Sequence, residues 1–413
     1  MSDINNIQKI YFLGIGGIGM SALARYFKSK GCVVSGYDKT ATPLTMELEN
    51  SGIDIHYEEN IDAIPKDVDV VVYTPAIPKN QSELLYYQNN NYQVVKRSDV
   101  LQWITENSFN ICIAGTHGKT TVTSMIAHIL RDSGFGCNAF LGGIASNYNT
   151  NFWSSEKNVV VVEADEYDRS FLKLIPDVAV ITSMDPDHLD IYGDGDSVLE
   201  SFQLFVNQIK AGGFFIQKKG LTLHSEIGDA TFGIDKGDFQ AYNIRIENHR
   251  MVFDMMYPGG FISDIPMRIP GFHNIENALA AAALAMYHGL TPEEVKNGIA
   301  SFKGVKRRFE YHVETEEHVL IDDYAHHPTE ITACLKSVKA LYPNEKLVAI
   351  FQPHLFSRTR DFLVEFGDSL ALADEIYLLD IYPARELPIP GIDSYLLLEK
   401  IPSQNKQVIS KTA

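Results

Sequence analysis

Cysteine is scarce, with four residues in 413, at positions 32, 112, 137 and 334, and they form no CxxC pair and no regular spacing. That excludes a disulfide framework. Each thiol lies in an apolar neighbourhood where buried thiols sit, so a reducing compartment is expected and the chain is placed in the cytoplasm. Positive charge is also short. The 35 Lys and Arg face 53 Asp and Glu, a formal charge of -18. Such a surface repels a nucleic-acid backbone, so no nucleic-acid partner is expected, and any anionic ligand needs a local basic pocket. Long apolar runs are missing as well. The opening MSDINNIQKIYFLG has no basic region followed by a sustained apolar stretch, and no later segment approaches the length of a membrane span. Neither a targeting signal nor a membrane partner is expected. No repeat, low-complexity tract or charge block suggests an array or a tail.

What is present is core. Hydrophobic residues make up 45% and charged residues 21%, the composition of a chain that buries large interiors. At about 100 to 200 residues per domain, two to four domains are expected. The pattern alternates strand and helix three times, which predicts an α/β protein with parallel sheets wrapped on both faces. The first block, 1–107, opens with Lys9-Ile-Tyr-Phe-Leu13, then glycines, then a helical pattern over 20–27, and continues with β-prone runs at 33–34, 68–72 and 93–95. The second, 108–311, restarts at Asn110-Ile-Cys-Ile-Ala114, carries buried runs at 159–162 and 178–181, and later an Ala-rich helix over 276–288. The third, 312–413, has candidate strands at 319–321, 347–351, 376–379 and 408–409.

Gly115-Thr116-His117-Gly118-Lys119-Thr120-Thr121 stands between a β-run and a helix, where a phosphate loop works. Glycines admit backbone N–H groups to phosphate oxygens, the helix N-terminus favours negative charge, and Lys119 can reach the outer phosphates. Thr120 is placed for Mg²⁺. Position 113 is Ile, so the full GxxxxGK[ST] pattern is not met, and a chance turn is the competing reading. An acidic metal partner is expected at the end of the next strand, where Glu163-Ala-Asp-Glu166 follows Val162, and Glu163 is the choice. The run ending at Ile181 leads to Asp185-Pro-Asp-His188, which makes His188 a candidate for a second ion; the bland alternative is a helix cap by Asp185 or Asp187. In the first block Gly14, Gly16, Gly17 and Gly19 lie in a GxGxxG pattern, with Asp38 at the distance of a ribose-binding acid. Read alone, this fingerprint supports a nicotinamide-dependent oxidoreductase. A second phosphate loop a hundred residues later argues against it. A UDP-sugar also offers a pyrophosphate, with which Arg97 could pair.

Taken together, GIGGIGMSALA at 14–24, GTHGKTT at 115–121, EADEYDRSF at 163–171, DPDHLD at 185–190, PGFHNIENALAA at 270–281, GVKRRFE at 304–310, DDYAHHPTE at 322–330 and QPHLFSRTRD at 352–361 resemble the Mur ligases, which build the peptide stem of peptidoglycan. The resemblance runs through nearly the whole chain in one order. It implies three domains: a Rossmann-like N-terminal domain for the UDP-sugar, a P-loop ATPase-like central domain, and a Rossmann-like C-terminal domain. It further implies ATP, Mg²⁺ (or Mn²⁺), UDP-N-acetylmuramate and L-alanine as ligands, with an acyl phosphate as intermediate. Residue by residue, it places Lys119 and Thr120 on the triphosphate and metal, Glu163 and His188 on metals, and Asn274 and Asn277 by the adenine. Arg307 or Arg308 would meet phosphate. Asp323, Tyr324, His326, His354, Arg358 and Arg360 would surround the amine and the acyl phosphate.

Each of these has a plainer reading. Asn277 could cap or face solvent, one of the two adjacent arginines could be a solvated charge, and His326 and His327 precede Pro328 where a helix cap is plausible. Two departures from the family stand out. Leu355 occupies a position where relatives commonly carry Arg, which leaves Arg358 and Arg360 for the amino acid's carboxylate. No Lys lies between Lys173 and Lys210, so the carbamylated lysine of several relatives has no counterpart. The alternatives carried forward are a ligase adding a tripeptide to the same sugar acid, the oxidoreductase, and a non-catalytic nucleotide-sensing module. A last expectation concerns residues 407–409, where no following helix remains to cover a parallel strand: Val408 and Ile409 should lie on a poorly covered sheet edge, in a third domain that lacks its last elements.

Overall fold

The computed structural model describes residues 4–184, 195–384 and 386–410, so the expected ion ligand His188, with Asp185 and Asp187, lies outside the described residues. The chain forms two compact units: Met1–Asn243 with Phe253–Pro266 and Phe272–Val305, and Ile244–Val252 with Met267–Gly271 and Lys306–Ala413.

The first unit opens on a five-stranded parallel sheet. Its elements are β1 (Lys9–Leu13), α1 (Ile18–Ser29), β2 (Val33–Tyr37), α2 (Pro43–Asn50), β3 (Asp54–His56), β4 (Val70–Tyr73), α3 (Ser82–Asn89), β5 (Val94–Lys96) and α4 (Arg97–Glu106), with strand order β3-β2-β1-β4-β5. The order reverses at β1, so the crevice beyond its C-terminal end, where Gly14–Gly19 lies, is the topological switch point at which such sheets bind ligands. β1 is short and apolar, and Ile10 to Leu13 are wholly buried.

A second sheet follows, built on β6 (Phe109–Ala114), α5 (Lys119–Asp132), β7 (Asn138–Ala145), β8 (Thr150–Trp153), β9 (Val159–Glu163), β10 (Val178–Ile181), α6 (Gly195–Asn207) and β11 (Phe214–Lys218). β12 (Ala230–Ile234), β13 (Phe239–Glu247), β14 (Arg250–Tyr257) and β15 (Gly260–Met267) extend it, before α7 (Phe272–Tyr287) and α8 (Pro292–Ser301). The strand order is β15-β14-β13-β12-β11-β10-β6-β9-β7-β8. Its central strands β10, β6 and β9 are parallel and buried on both faces, which is why they read as unbroken Val and Ile runs. The two sheets are not separate bodies here. α1 packs on β7 and β8, and one hydrophobic cluster contains residues of both sheets, from Phe12 and Phe27 to Phe140 and Phe152.

The second unit contains the hairpin β16 (Glu310–Glu314) and β17 (Val319–Asp322), then α9 (Pro328–Leu341), β18 (Val348–Phe351), α10 (Phe356–Asp361), α11 (Leu363–Leu370), β19 (Glu375–Leu378), α12 (Ser394–Lys400) and β20 (Lys406–Val408). β18, β19 and β20 make a parallel sheet in that order, with β20 outermost, and Val408 and Ile409 are half-buried. Among the described residues no helix is long and apolar enough to cross a membrane.

Candidate active site

In the first unit the chain leaves β6 at Ala114 and turns through Gly115 and Gly118 into α5. Both glycines have positive φ, 132° and 83°, a region that side chains avoid. Space excludes a side chain as well: a Cβ on Gly115 would lie 2.2 Å from Thr182 Oγ1, and one on Gly118 would lie 2.6 Å from Asn277 Oδ1. The loop is clamped from β10's end. Thr116 Oγ1 and the Ser183 hydroxyl are 2.9 Å apart, and the His117 N–H donates to Ser183 Oγ at 2.7 Å.

Lys119 begins α5, and its ammonium donates to Gly115 O at 2.6 Å and to both oxygens of Glu166, at 2.7 and 2.6 Å. Glu166 is only 2% exposed, so this is a desolvated pair rather than a surface one. The sequence reading missed it, having singled out Glu163 from the same acidic run. Glu163 ends β9 elsewhere: Thr120 Oγ1 donates to its Oε2 at 3.2 Å, and the Gly142 N–H to its Oε1 at 2.7 Å. A hydroxyl and a carboxylate, both hard oxygen donors, thus converge beside the phosphate loop, which fits Mg²⁺. Thr121 is buried in α5. Asn274 and Asn277 are buried on α7, linked by a hydrogen bond of 3.2 Å, with Asn277 against Gly118. Burial rules out the solvent-facing reading of Asn277.

The glycine loop lies at the end of β1. The Gly14 N–H donates to Tyr37 O at 2.8 Å, and Gly17 precedes the first turn of α1. Asp38 Oδ2 accepts the Gly16 N–H at 2.8 Å and its Oδ1 accepts the Thr40 N–H at 3.1 Å. One oxygen of Asp38 thus holds the glycine loop and the other the turn after β2, contacts that spacing alone could not foresee. Arg97 starts α4, and its guanidinium covers Gly19, where an added Cβ would be 2.2 Å from Nη1. Its Nη2 lies 3.6 Å from Asp165 Oδ2. Asp165 and Glu166 are adjacent, so one polar chain runs from the glycine loop through Arg97 and Asp165-Glu166 to Lys119. Asn151 was also missed: its amide donates to Ile18 O at 2.6 Å and Ser21 Oγ at 2.8 Å, tying β8 to the start of α1.

The second unit gathers the remaining candidates by itself. Arg307 and Arg308 are exposed, Arg307 has φ 61°, and its guanidinium lies 4.7 Å over the ring of Tyr324. Asp323 accepts the N–H groups of Phe309 and Ala325, both at 2.8 Å. Burial nevertheless raises its carboxyl above the ordinary range. The cap of α9 falls to His327, whose side chain accepts the Thr329 N–H while Glu330 answers the cap's backbone. His326 shares Glu330, whose Oε2 accepts its N–H at 2.9 Å, but its ring is turned the other way, with Nδ1 2.9 Å from Tyr324 O and the ring centroid 6.2 Å from that of His354. His354 stacks on Tyr382, 5.6 Å between centroids. Its imidazole is held below the usual value by desolvation first and then by Arg358 and His326. Arg358 Nη1 is buried and has no hydrogen-bond partner among the described residues. Arg360, by contrast, is exposed and paired with Asp361 at 2.8 Å. Leu355 has φ 72°, a strained backbone of the kind that collects at functional sites. Glu310, His312 and Asp322 also come together, their ligand atoms within 4.8 Å of one another.

Three family models match in sequence: "Mur ligase family, catalytic domain" over 9–108, "Mur ligase middle domain" over 113–285, and "Mur ligase, glutamate ligase domain" over 307–412. The UDP-N-acetylmuramate--L-alanine ligase of Flavobacterium psychrophilum is 52% identical over 99% of this chain and 92% of its own length. That of Christiangramia forsetii is 49% identical over 100% and 92%. The crystal structure of the UDP-N-acetylmuramate-alanine ligase of Thermotoga maritima superposes with a TM-score of 0.83 at 30% identity, covering 98% of this chain and 90% of that one. A murein peptide ligase from Psychrobacter arcticus shares the fold, with a TM-score of 0.67 at 24% identity over 98% and 91%. With identity of this order over its full length and all three family models in sequence, the chain belongs to the Mur ligase family.

Proposed function

We propose that the chain joins L-alanine to the carboxylate of UDP-N-acetylmuramate at the expense of ATP, in peptidoglycan precursor synthesis. The observation that carries this reading is the pair of phosphate-type loops in one unit, linked through Arg97, Asp165-Glu166 and Lys119. One loop suits the pyrophosphate of a UDP-sugar and the other the triphosphate of ATP. The names of the relatives at 52% and 49% identity supply the amino acid. An oxidoreductase has no use for the second loop, and Asp38 is engaged with Gly16 and Thr40.

In this reading residues 1–107 bind the UDP-sugar, 108–311 bind ATP, and 312–413 receive the amino acid and add nucleotide contacts. The sugar's carboxylate attacks the γ-phosphorus and ADP leaves; the α-amine then attacks the acyl phosphate and phosphate leaves as the amide forms. Lys119 turns from Glu166 to the outer phosphates and offsets their charge. Thr120 and Glu163, with His188 for a second ion, would hold Mg²⁺ or Mn²⁺, which supplies charge neutralisation when bound. Asn274 and Asn277 back the loop beside the nucleotide. Arg307 or Arg308 serves phosphate contacts, Asp323 lies by the amine and the acyl phosphate, and Arg358, whose Nη1 has no hydrogen-bond partner among the described residues, takes the carboxylate of L-alanine. Tyr324, His326 and His354 frame the amine, while Arg360 contributes surface charge near it. The reaction belongs in the cytoplasm, where its nucleotide substrates are held.

The test supplies UDP-N-acetylmuramate and ATP with L-alanine, glycine, L-serine or the tripeptide in turn and follows phosphate release. The highest kcat/KM is expected with L-alanine. A preference for the tripeptide would move the chain to the recycling reaction, and no release with any acceptor would refute the ligase reading.

A further inference from the structure

A cavity of about 630 Å³ opens in the first unit away from both nucleotide loops, lined among others by Arg25, Lys28, Ser51, Arg131, Trp153 and Ser155. Its walls come from the C-terminal half of α1, the turn after α5 and the end of β8. α1 begins at the glycine loop and α5 at the phosphate loop; at 1.5 Å per residue, Arg25 and Lys28 lie roughly 10 to 15 Å along α1 and Arg131 roughly 18 Å along α5 from those starts. Three cations meet here in a chain of net charge -18. Among the described residues only Arg25 has a carboxylate partner, Glu47 at 2.9 Å. Lys28 donates to the carbonyl of Gly52, and the Arg131 guanidinium lies 4.1 Å from the Tyr148 ring and 5.2 Å from that of Trp153. Arg25 Nε is buried without a hydrogen-bond partner among the described residues.

Helix dipoles test how much of this charge is already used. The C-terminal ends of α1 and α5 each carry about half a negative charge, and Glu47 adds one more. Asp132 is bonded to Ser301 and does not line the cavity. Against the three cations, roughly one positive charge is left over, surrounded by serine hydroxyls and in a volume suited to a small molecule.

We propose that this cavity binds a small phosphorylated anion and that its occupancy ties α1 to the far end of α5 and to β8. Because those helices start at the two nucleotide loops, the occupant acts on the fit of the first sheet to the second, and so on UDP-sugar and ATP binding together. The experiment uses the chain's two tryptophans, Trp103 and Trp153. In full-length Trp103→Phe protein, with ADP and UDP saturating so that both nucleotide loops are filled, inorganic pyrophosphate is titrated while Trp153 emission is recorded. A saturable change with half-saturation below about 1 mM is expected. Lys28→Gln and Arg131→Gln, each with unchanged melting temperature and unchanged ligase turnover, should weaken it by roughly tenfold. Lys28 is half-buried and its ammonium bonds a backbone carbonyl rather than a carboxylate, so its variant keeps the test valid if Arg131→Gln unfolds. No saturable change up to about 10 mM, an equal response in the variants, or a response that Lys119→Ala removes would overturn the proposal. In those cases the cations serve the helix ends alone.

Discussion

Before ATP arrives, Lys119 is held by Glu166, and Glu166→Gln isolates that hold. The carboxylate contacts the ammonium through both oxygens at 2.6 and 2.7 Å; Glu166 is 2% exposed and the Lys119 side chain 16%. The discount for a solvated pair therefore does not apply. A hydrogen bond to a charged group contributes about 1.5 to 3 kcal/mol, and a phosphate must break this one to reach Lys119. Gln keeps the shape but loses the charge, so about half of that contribution should go. ADP affinity is then expected to tighten by roughly three- to twelvefold, at about 1.4 kcal/mol per decade. The cost falls on the free protein: Lys119 keeps Gly115 O, and the same loss of about 1 kcal/mol should lower its melting temperature by a few degrees. Calorimetric titration of ADP and thermal unfolding without ligand make the comparison. If the melting temperature drops but ADP binds no more tightly than to the parent, Glu166 does not compete with phosphate and the reasoning is wrong.

Lys119→Ala should abolish phosphate release while changing UDP-N-acetylmuramate binding by less than about twofold, since Arg97 and the glycine loop are untouched; equal loss of both ligands would refute the division between loops. Arg97→Ala should show the reverse pattern, weakening the UDP-sugar by about 2 kcal/mol, or roughly thirtyfold, with ADP binding kept, as read by titration of each ligand. His128 predicts a pH dependence. It bonds the hydroxyls of Tyr148 at 2.8 Å and Ser301 at 2.9 Å, and burial pulls its folded value down to about 4. The unfolded chain takes up that proton near 6.5, so between those two values the unfolded state binds more protons. Stability should therefore fall as pH drops through that window, by up to about 3 kcal/mol. Urea unfolding at pH 7 and pH 5 should show a smaller drop in His128→Gln than in the parent, and parallel drops would exclude this histidine as the cause.

The sequence by itself determined the chemistry and its order along the chain. A strand ending at Ala114, two glycines, Lys119 and an apolar helix admit few structures besides a phosphate loop, because each element is specified within a few residues. Glu163 at the end of a Val run was legible for the same reason: a buried parallel strand announces where its C-terminal edge lies. The limits appeared wherever neighbours in sequence diverge in space. Glu163 and Glu166 are three residues apart, but β9 ends at the first and a 3-10 turn begins after the second, so one faces Thr120 and the other Lys119. Only the packed loop decides that. His326 and His327 are adjacent, and the first turn of α9 alone chose His327 as its cap. Asp38 had a legible spacing from the glycine loop, but that its Oδ2 accepts the Gly16 N–H is a tertiary contact. The pairing of Arg97 with Asp165 joins residues 68 positions apart, and the packing of α1 on β7 and β8 merges two sheets that read as independent blocks. Local pattern reports what a segment buries, whereas the partner it buries against is a property of the assembled core.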